Sequence, residues 1–307
     1  MGKYDPEVAR NILRLRLSQM IINEKYKADR FKIPIHLALG HETIAVAVDL
    51  VMHDNDKLVL SHRNIHYNLA RIRTLKEEIE EYCLSDKGLA CGRQGSMNLS
   101  NPARGISYSS SILGNNFAVG SGLALGEKVN KTGGVVFIVT GDGAMEEGSF
   151  YESLLFQKSN DLAVVTIIEN NQWSLATKIN ERRSEIDIKK IAHSLGAEYI
   201  KLKGNDPFGY IEKMKEVRAL AADSKTAVCV EVELTTLGGW YVESKENPRG
   251  RFINYHGGPA PKVNLTDGPV LERSKNDPVY VLKDYFDEDL LKGCTGELLS
   301  FLHGDIK

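Results

Sequence analysis

The chain has 307 residues, four cysteines and a formal net charge of -2, with an isoelectric point near 6.5. It carries no long basic block, so electrostatics gives no reason to expect nucleic acid or an anionic membrane as partner; a small molecule or another protein is left. Cys83, Cys91, Cys229 and Cys294 lie scattered without a CxxC pair, which indicates neither a zinc site nor a disulfide framework.

The opening MGKYDPEVARNILRLRL is charged throughout, so neither a signal peptide nor a membrane span is expected, and the cytoplasm is the expected location. From Pro6 to Lys27, Val8, Ile12, Leu15, Ile22 and Tyr26 recur at helical spacing and predict a helix with one buried face. The segment IPIHLALGHETIAVAVDL sets His36 ahead of a turn at Gly40, then predicts a buried helix from about Glu42, apolar nearly all round. A short apolar run, Leu58 to Leu60, ends in SHRNIHYNLAR; a basic residue at such a strand end suits a phosphate as well as solvated surface. Thr74 to Ser85 predicts an amphipathic helix packed through Leu75, Ile79 and Tyr82. The Gly-, Ser- and Asn-rich stretch that follows reads as loop in its first part, and Gly120, Gly122 and Gly126 belong to a helix that needs small residues for close packing.

Val135 to Thr140 is apolar without alternation, as in a strand buried on both faces of a parallel sheet. Gly141-Asp142-Gly143 then turns sharply, with Asp142 projecting a hard oxygen from the strand's C-terminal edge. Glu146 and Glu147 favour a helix start, a helix is predicted from about Gly148 to Lys158, and Leu162 to Glu169 is a second buried strand. Asp142 and the pair Asn170-Asn171 therefore emerge on one sheet edge, where ligands of open α/β folds bind. A carboxylate and an amide oxygen converging there suit Mg²⁺ together with a bound diphosphate. Taken singly, GDG is an ordinary turn and NN an ordinary loop.

Beyond Asn171, Trp173 to Glu185 reads as polar loop, and Ile188 to Leu195 as a short helix capped at Gly196. Tyr199 to Leu202 is a further strand, Asp206-Pro207 opens a helix running to about Asp223, and Ala227 to Leu234 is another buried strand. The alternation predicts one α/β domain over 1–307, a parallel sheet with helices on both faces, with an N-terminal helix in 1–30 and a C-terminal loop and helical tail in 235–307.

With two buried strands flanking Asp142 and Asn171, the central stretch resembles the thiamine diphosphate motif, GDG followed by NN. The resemblance implies the thiamine diphosphate-binding fold, in its diphosphate-binding form. It implies Asp142, Asn171 and the main chain of Trp173 as Mg²⁺ ligands, with Gly143 and Ala144 against the diphosphate. Other segments resemble the alpha subunits of thiamine-dependent 2-oxo acid dehydrogenases. His36 takes the place of the histidine that precedes G-Q-E-A, here Gly40-His41-Glu42-Thr43; His41 replaces Gln, and little is expected from that change. His62 and Arg63 match a pair that contacts the diphosphate, while the family's next histidine falls on Ile65, with His66 one place later. Gly92 to Leu99 is similar to G-K-G-G-S-M-H, and Ser111 to Gly114 falls where the aminopyrimidine ring is contacted, with Leu113 touching it. The R-G-H-S type loop of these subunits is missing. Instead His256, in YHGGP, is similar to a histidine of transketolase-like enzymes that lies over the diphosphate and the reacting carbon.

Three readings follow. The first is the alpha subunit of a thiamine diphosphate-dependent 2-oxo acid dehydrogenase, decarboxylating a 2-oxo acid or cleaving a related donor, with acyl transfer. The second is the N-terminal subunit of a split transketolase-like enzyme that uses a ketose donor. The third is a nucleotide-binding or regulatory module whose GDG is only a turn. Under the first, His36, His62 and His256 are catalytic candidates, because imidazole titrates near working pH. The glutamate that activates the cofactor is expected from a beta subunit carrying a pyrimidine-binding domain, in an α₂β₂ assembly, with a lipoyl acyltransferase as a further partner.

Overall fold

The uninterrupted apolar runs become strands covered from both sides. The structure, a computed structural model, describes residues 4–245, 248 and 250–307. Its main sheet holds β1 (Lys57–Ser61), β2 (Ile106–Ser110), β3 (Val136–Gly141) and β4 (Val164–Asn170). After a small hairpin of β5 (Trp173–Ser174) and β6 (Thr177–Lys178) come β7 (Glu198–Lys203) and β8 (Ala227–Glu233). The six long strands are parallel, in the order β2-β1-β3-β4-β8-β7.

Successive residues of each strand point to opposite layers. Phe137 and Val139 of β3 enter one core with α1 (Pro6–Lys27), α2 (Glu42–Val51), α3 (Ile65–Ile72) and α4 (Lys76–Tyr82). Val136 and Ile138 enter the other, with α5 (Asn115–Asn130) and α6 (Gly148–Ser159). Having both faces apolar is what erased the alternation from the sequence. The chain continues through α7 (Ile179–Arg182), α8 (Ile188–Ser194) and α9 (Pro207–Ser224). An antiparallel ribbon of β9 (Trp240–Val242) and β10 (Arg251–Ile253) follows, then α10 (Pro278–Val281) and α11 (Glu288–Asp305). Asp206 caps α9 by accepting from Phe208 N at 3.1 Å and Gly209 N at 3.0 Å. No helix among the described residues is long and apolar enough to cross a membrane.

Three details depart from the sequence reading. The stretch Trp173 to Glu185, expected as loop, contains β5, β6 and α7. β2 is a strand without an apolar run, because it sits at the sheet edge and pairs only with β1. The first helix is buried on almost every side rather than on one face, because α11 and the segment before α10 close over it. At its centre Arg16 is fully buried: Nε meets Glu42 at 2.7 Å, Nη2 meets Asp277 at 2.9 Å, and Nη1 donates to the Pro269 carbonyl at 2.7 Å.

β1 and β3 are neighbours, yet the chain leaves β1 toward β2 on its other side. The crevice beyond their C-terminal ends is thus the switch point of the sheet, where a ligand finds room between diverging loops. A turn through Gly40 packs against this end from the side. Gly40 has φ +98°, and a Cβ there would lie 2.1 Å from the Thr235 carbonyl oxygen. Gly40→Ala is therefore expected to cost about 3 kcal/mol, backbone strain and overpacking together, read as a lowered midpoint in urea unfolding. A midpoint equal to wild type would show that the turn relaxes freely.

Candidate active site

The C-terminal ends of β1 to β4 and the segment after β10 enclose an open cleft of about 710 Å³. β1 delivers Ser61, His62 and Arg63; β2 delivers Ser110 and Ser111; β3 delivers Gly141 and Asp142; β4 delivers Glu169 and Asn171. Pairing of Gly141 with Glu169 sets Asp142, just past β3, level with Asn170, the last residue of β4. Leu113, 48% exposed, stands at the cleft mouth, and Ser111 N donates to Asn98 Oδ1 at 3.0 Å.

Asp142 is 2% exposed. Burial pushes its carboxyl up to about 6, against the opposing pull of Arg182, whose Nη2 lies 3.1 Å from Oδ2. Arg182 is itself held by Glu146 at 3.0 Å and by the Thr177 carbonyl at 2.9 Å. Gly143 admits no side chain beside this carboxylate, since a Cβ there would come within 2.9 Å of Ser174 Oγ. A buried carboxylate whose cationic partner, Arg182, could turn to an added anion, next to a tight glycine turn, fits a divalent ion with an attached anionic group.

Asn171 Oδ1 accepts from Trp173 N at 3.0 Å, and its Nδ2 donates to Thr236 Oγ1 at 2.8 Å. The oxygen keeps a second lone pair. Trp173 packs its ring edge-on against Phe252, 5.9 Å away, so the side chain serves the β9-β10 ribbon.

His36, His62 and His256 come from three distant stretches and meet beside the cleft, which His62 and His256 line. Ring centroids are 4.8 Å (His36–His62), 5.0 Å (His36–His256) and 5.4 Å (His62–His256) apart. Burial, then neighbouring imidazoles and Arg63, push His36 down to about 2 and His62 to about 3; burial and Arg63 take His256 to about 4. All three are neutral at pH 7. His36 Nδ1 and His62 Nε2 are buried without a hydrogen-bond partner, which leaves polar capacity for a bound molecule. Arg63 lines the cleft, but Nη1 donates to the Leu37 carbonyl and Nη2 to the His256 carbonyl at 2.9 Å. It binds the histidine-bearing segments together.

Several residues had no part in the sequence reading. Arg182, beside Asp142, lay in a stretch taken for loop, where the pair Arg182-Arg183 was the available signal. Glu169 is buried beneath the cleft, taking His41 Nδ1 at 3.0 Å on one oxygen and His66 Nε2 at 2.9 Å and Tyr67 OH at 3.0 Å on the other. Burial alone would push its carboxyl up, but His66 and His41 outweigh it and hold the group well below the usual carboxylate range. His66 therefore belongs to this network and not to the histidine trio.

Residues 11–239 match the family model described as dehydrogenase E1 component. The chain is 28% identical over 239 residues to a pyruvate dehydrogenase E1 component subunit alpha of Rickettsia bellii, covering 76% of this chain and 73% of that protein. It is 24% identical over 277 residues to the mitochondrial counterpart of Saccharomyces cerevisiae, covering 90% of this chain and 62% of that one. Over 143 residues it is 33% identical to the alpha subunit of an acetoin:2,6-dichlorophenolindophenol oxidoreductase of Bacillus subtilis, covering 47% of this chain and 43% of that one. In fold it superposes on a transketolase from Campylobacter jejuni with a TM-score of 0.61 at 15% identity, covering 97% of this chain and 48% of that one, so it spans about half that enzyme's length. The family match, three quarters of the chain at a cleft built from GDG and NN, settles the kinship: the chain belongs to the dehydrogenase E1 component family, that of the thiamine diphosphate-dependent 2-oxo acid dehydrogenases.

Proposed function

We propose that this chain is an alpha subunit that binds Mg²⁺ and thiamine diphosphate and takes part in decarboxylating or cleaving a 2-oxo acid or related donor in the cytoplasm, with acyl transfer. The observation that carries this reading is the single cleft shared by Asp142, Asn171, His62 and His256 at the switch point of the sheet, with His36 packed against both histidines. Asp142, Asn171 and the Trp173 carbonyl would hold the ion, and Gly143 and Ala144 would lie along the diphosphate. Arg182 would exchange its hold on Asp142 for the added anion. Ser111 and Leu113 would border the pyrimidine ring. When bound, the thiazolium supplies the electron sink for carbanion chemistry.

The neutral imidazoles of His62 and His256, which line the cleft, can donate to a substrate oxygen or accept a proton, and the unpartnered nitrogens belong to His62 and to His36 packed against it. The alpha-subunit kinship supports a beta subunit that brings the activating glutamate, in an α₂β₂ assembly that passes acyl groups to a lipoyl acyltransferase. One observation favours a second reading, a transketolase-like subunit: His256, from YHGGP, stands beside His36 and His62.

Calorimetric titration of the chain assembled with its beta subunit is expected to show thiamine diphosphate binding that requires Mg²⁺, and the same enzyme is expected to acylate a lipoyl protein. Binding that is absent with Mg²⁺ rejects the cofactor reading, whereas transfer to an aldose and not to the lipoyl protein selects the transketolase-like one.

A further inference from the structure

We infer that His41 and Thr236 are positioning residues: with Glu169 they form a hydrogen-bond chain that fixes which way round the Asn171 carboxamide sits, so that its oxygen and not its NH₂ faces the cation. This rests on the Mg²⁺ reading above. The two ends of a carboxamide are almost alike in shape, and only the oxygen can ligate a hard cation. Something must therefore choose between them.

The choice follows from donor and acceptor capacities. Glu169, an ionised carboxylate that receives His66 and Tyr67, can only accept. His41 Nδ1, 3.0 Å from Glu169 Oε2, must then carry the proton, which leaves Nε2 as an acceptor. The Thr236 hydroxyl, 2.8 Å from Nε2, must donate to it. The Thr236 oxygen is left to accept, and Asn171 Nδ2 at 2.8 Å supplies the donor. Reversing the carboxamide would reverse each bond in turn and require either that Glu169 donate or that His41 carry a second proton, which its burial disfavours. The Trp173 N–H, which can only donate, meets Oδ1 at 3.0 Å and agrees with this polarity from the other side. The close approach of Gly40 to the Thr235 carbonyl keeps the His41 turn and Thr236 within reach of each other. His41 stands where the resembling subunits carry Gln, and Gln offers the same two functions, one donor and one acceptor.

The test uses the chain assembled with its beta subunit, with thiamine diphosphate present, Mn²⁺ as the probe ion, and electron paramagnetic resonance to count free Mn²⁺. Thr236→Val and His41→Leu are expected to weaken Mn²⁺ binding about 10- to 100-fold, the range typical for removing the partner of a metal ligand. Thr236→Ser and His41→Gln keep the chain's polarity and should stay within about threefold of wild type on the same scale. Near-ultraviolet circular dichroism of each variant verifies the fold. If Thr236→Val binds Mn²⁺ as Thr236→Ser does, the positioning role is overturned and the metal reading stands. If wild type itself binds no Mn²⁺, the metal reading falls and takes this inference with it.

Discussion

Asp142→Ala is expected to weaken Mg²⁺-dependent thiamine diphosphate binding by about 100-fold or more and to reduce turnover at least as far, since under the proposed function it removes an ion ligand and not merely a ligand's neighbour. Asp142 supplies the carboxylate of the proposed ion site, and no other described acidic side chain besides Glu169 lines the cleft. Glu169 is already engaged by two imidazoles and a phenol. The fold should survive, because Arg182 keeps Glu146 at 3.0 Å and the Thr177 carbonyl at 2.9 Å. A thermal midpoint close to wild type, together with lost binding in calorimetry, is the expected pair of results. Retained Mg²⁺-dependent binding would sink the assignment.

Arg16→Met is expected to be the most destabilising single change at a distance from the cleft, costing about 3–5 kcal/mol in denaturant unfolding. Arg16 lies fully buried against two carboxylates, and removing it leaves both without a counter-ion. Those carboxylates hold other parts in place. Glu42 accepts from Gly40 N at 2.9 Å, while Asp277 accepts from Leu271 N at 2.7 Å, Glu272 N at 3.0 Å and Val279 N at 2.9 Å. One guanidinium thereby ties the first helix to the Gly40 turn and to the start of α10. A loss of this size is a large part of the stability of an ordinary domain. The triple change Arg16→Met, Glu42→Gln, Asp277→Asn should recover part of it, because no buried charge is then left alone. A loss under about 1 kcal/mol for the single change would mean that water reaches the site.

Much of the architecture could be read from residue patterns, because burial on both faces writes itself into runs such as Val135 to Thr140. That Asp142 and Asn171 come to one edge of the sheet was legible for a related reason: each stands two residues beyond the end of such a run. β2 could not be read, since an edge strand with few apolar residues looks like its flanking loops. The full burial of the first helix was equally hidden. Its Arg16 reads as a solvent-facing residue until Glu42 and Asp277, far away in the chain, are brought to it.

At the cleft, the three histidines were legible one by one, and their meeting was not, because it depends on how the segment beyond residue 239 returns. His41 looked like a neutral replacement of Gln. Only its two partners, Glu169 and Thr236, show what its two nitrogens are for. Arg182 was lost in a stretch whose polarity resembled ordinary surface, although it lies against Asp142.

Arg63 joins the Leu37 carbonyl, next to His36, to the carbonyl of His256. Its own neighbour in the chain is His62. The imidazole wall is thus held in common by this guanidinium and by Tyr255, whose hydroxyl accepts from Leu37 N at 3.2 Å, and drift in any of the three segments is felt by the other two. A graft of the returning segment from a relative would carry its histidine into place only if it also presented a carbonyl where this guanidinium can reach it.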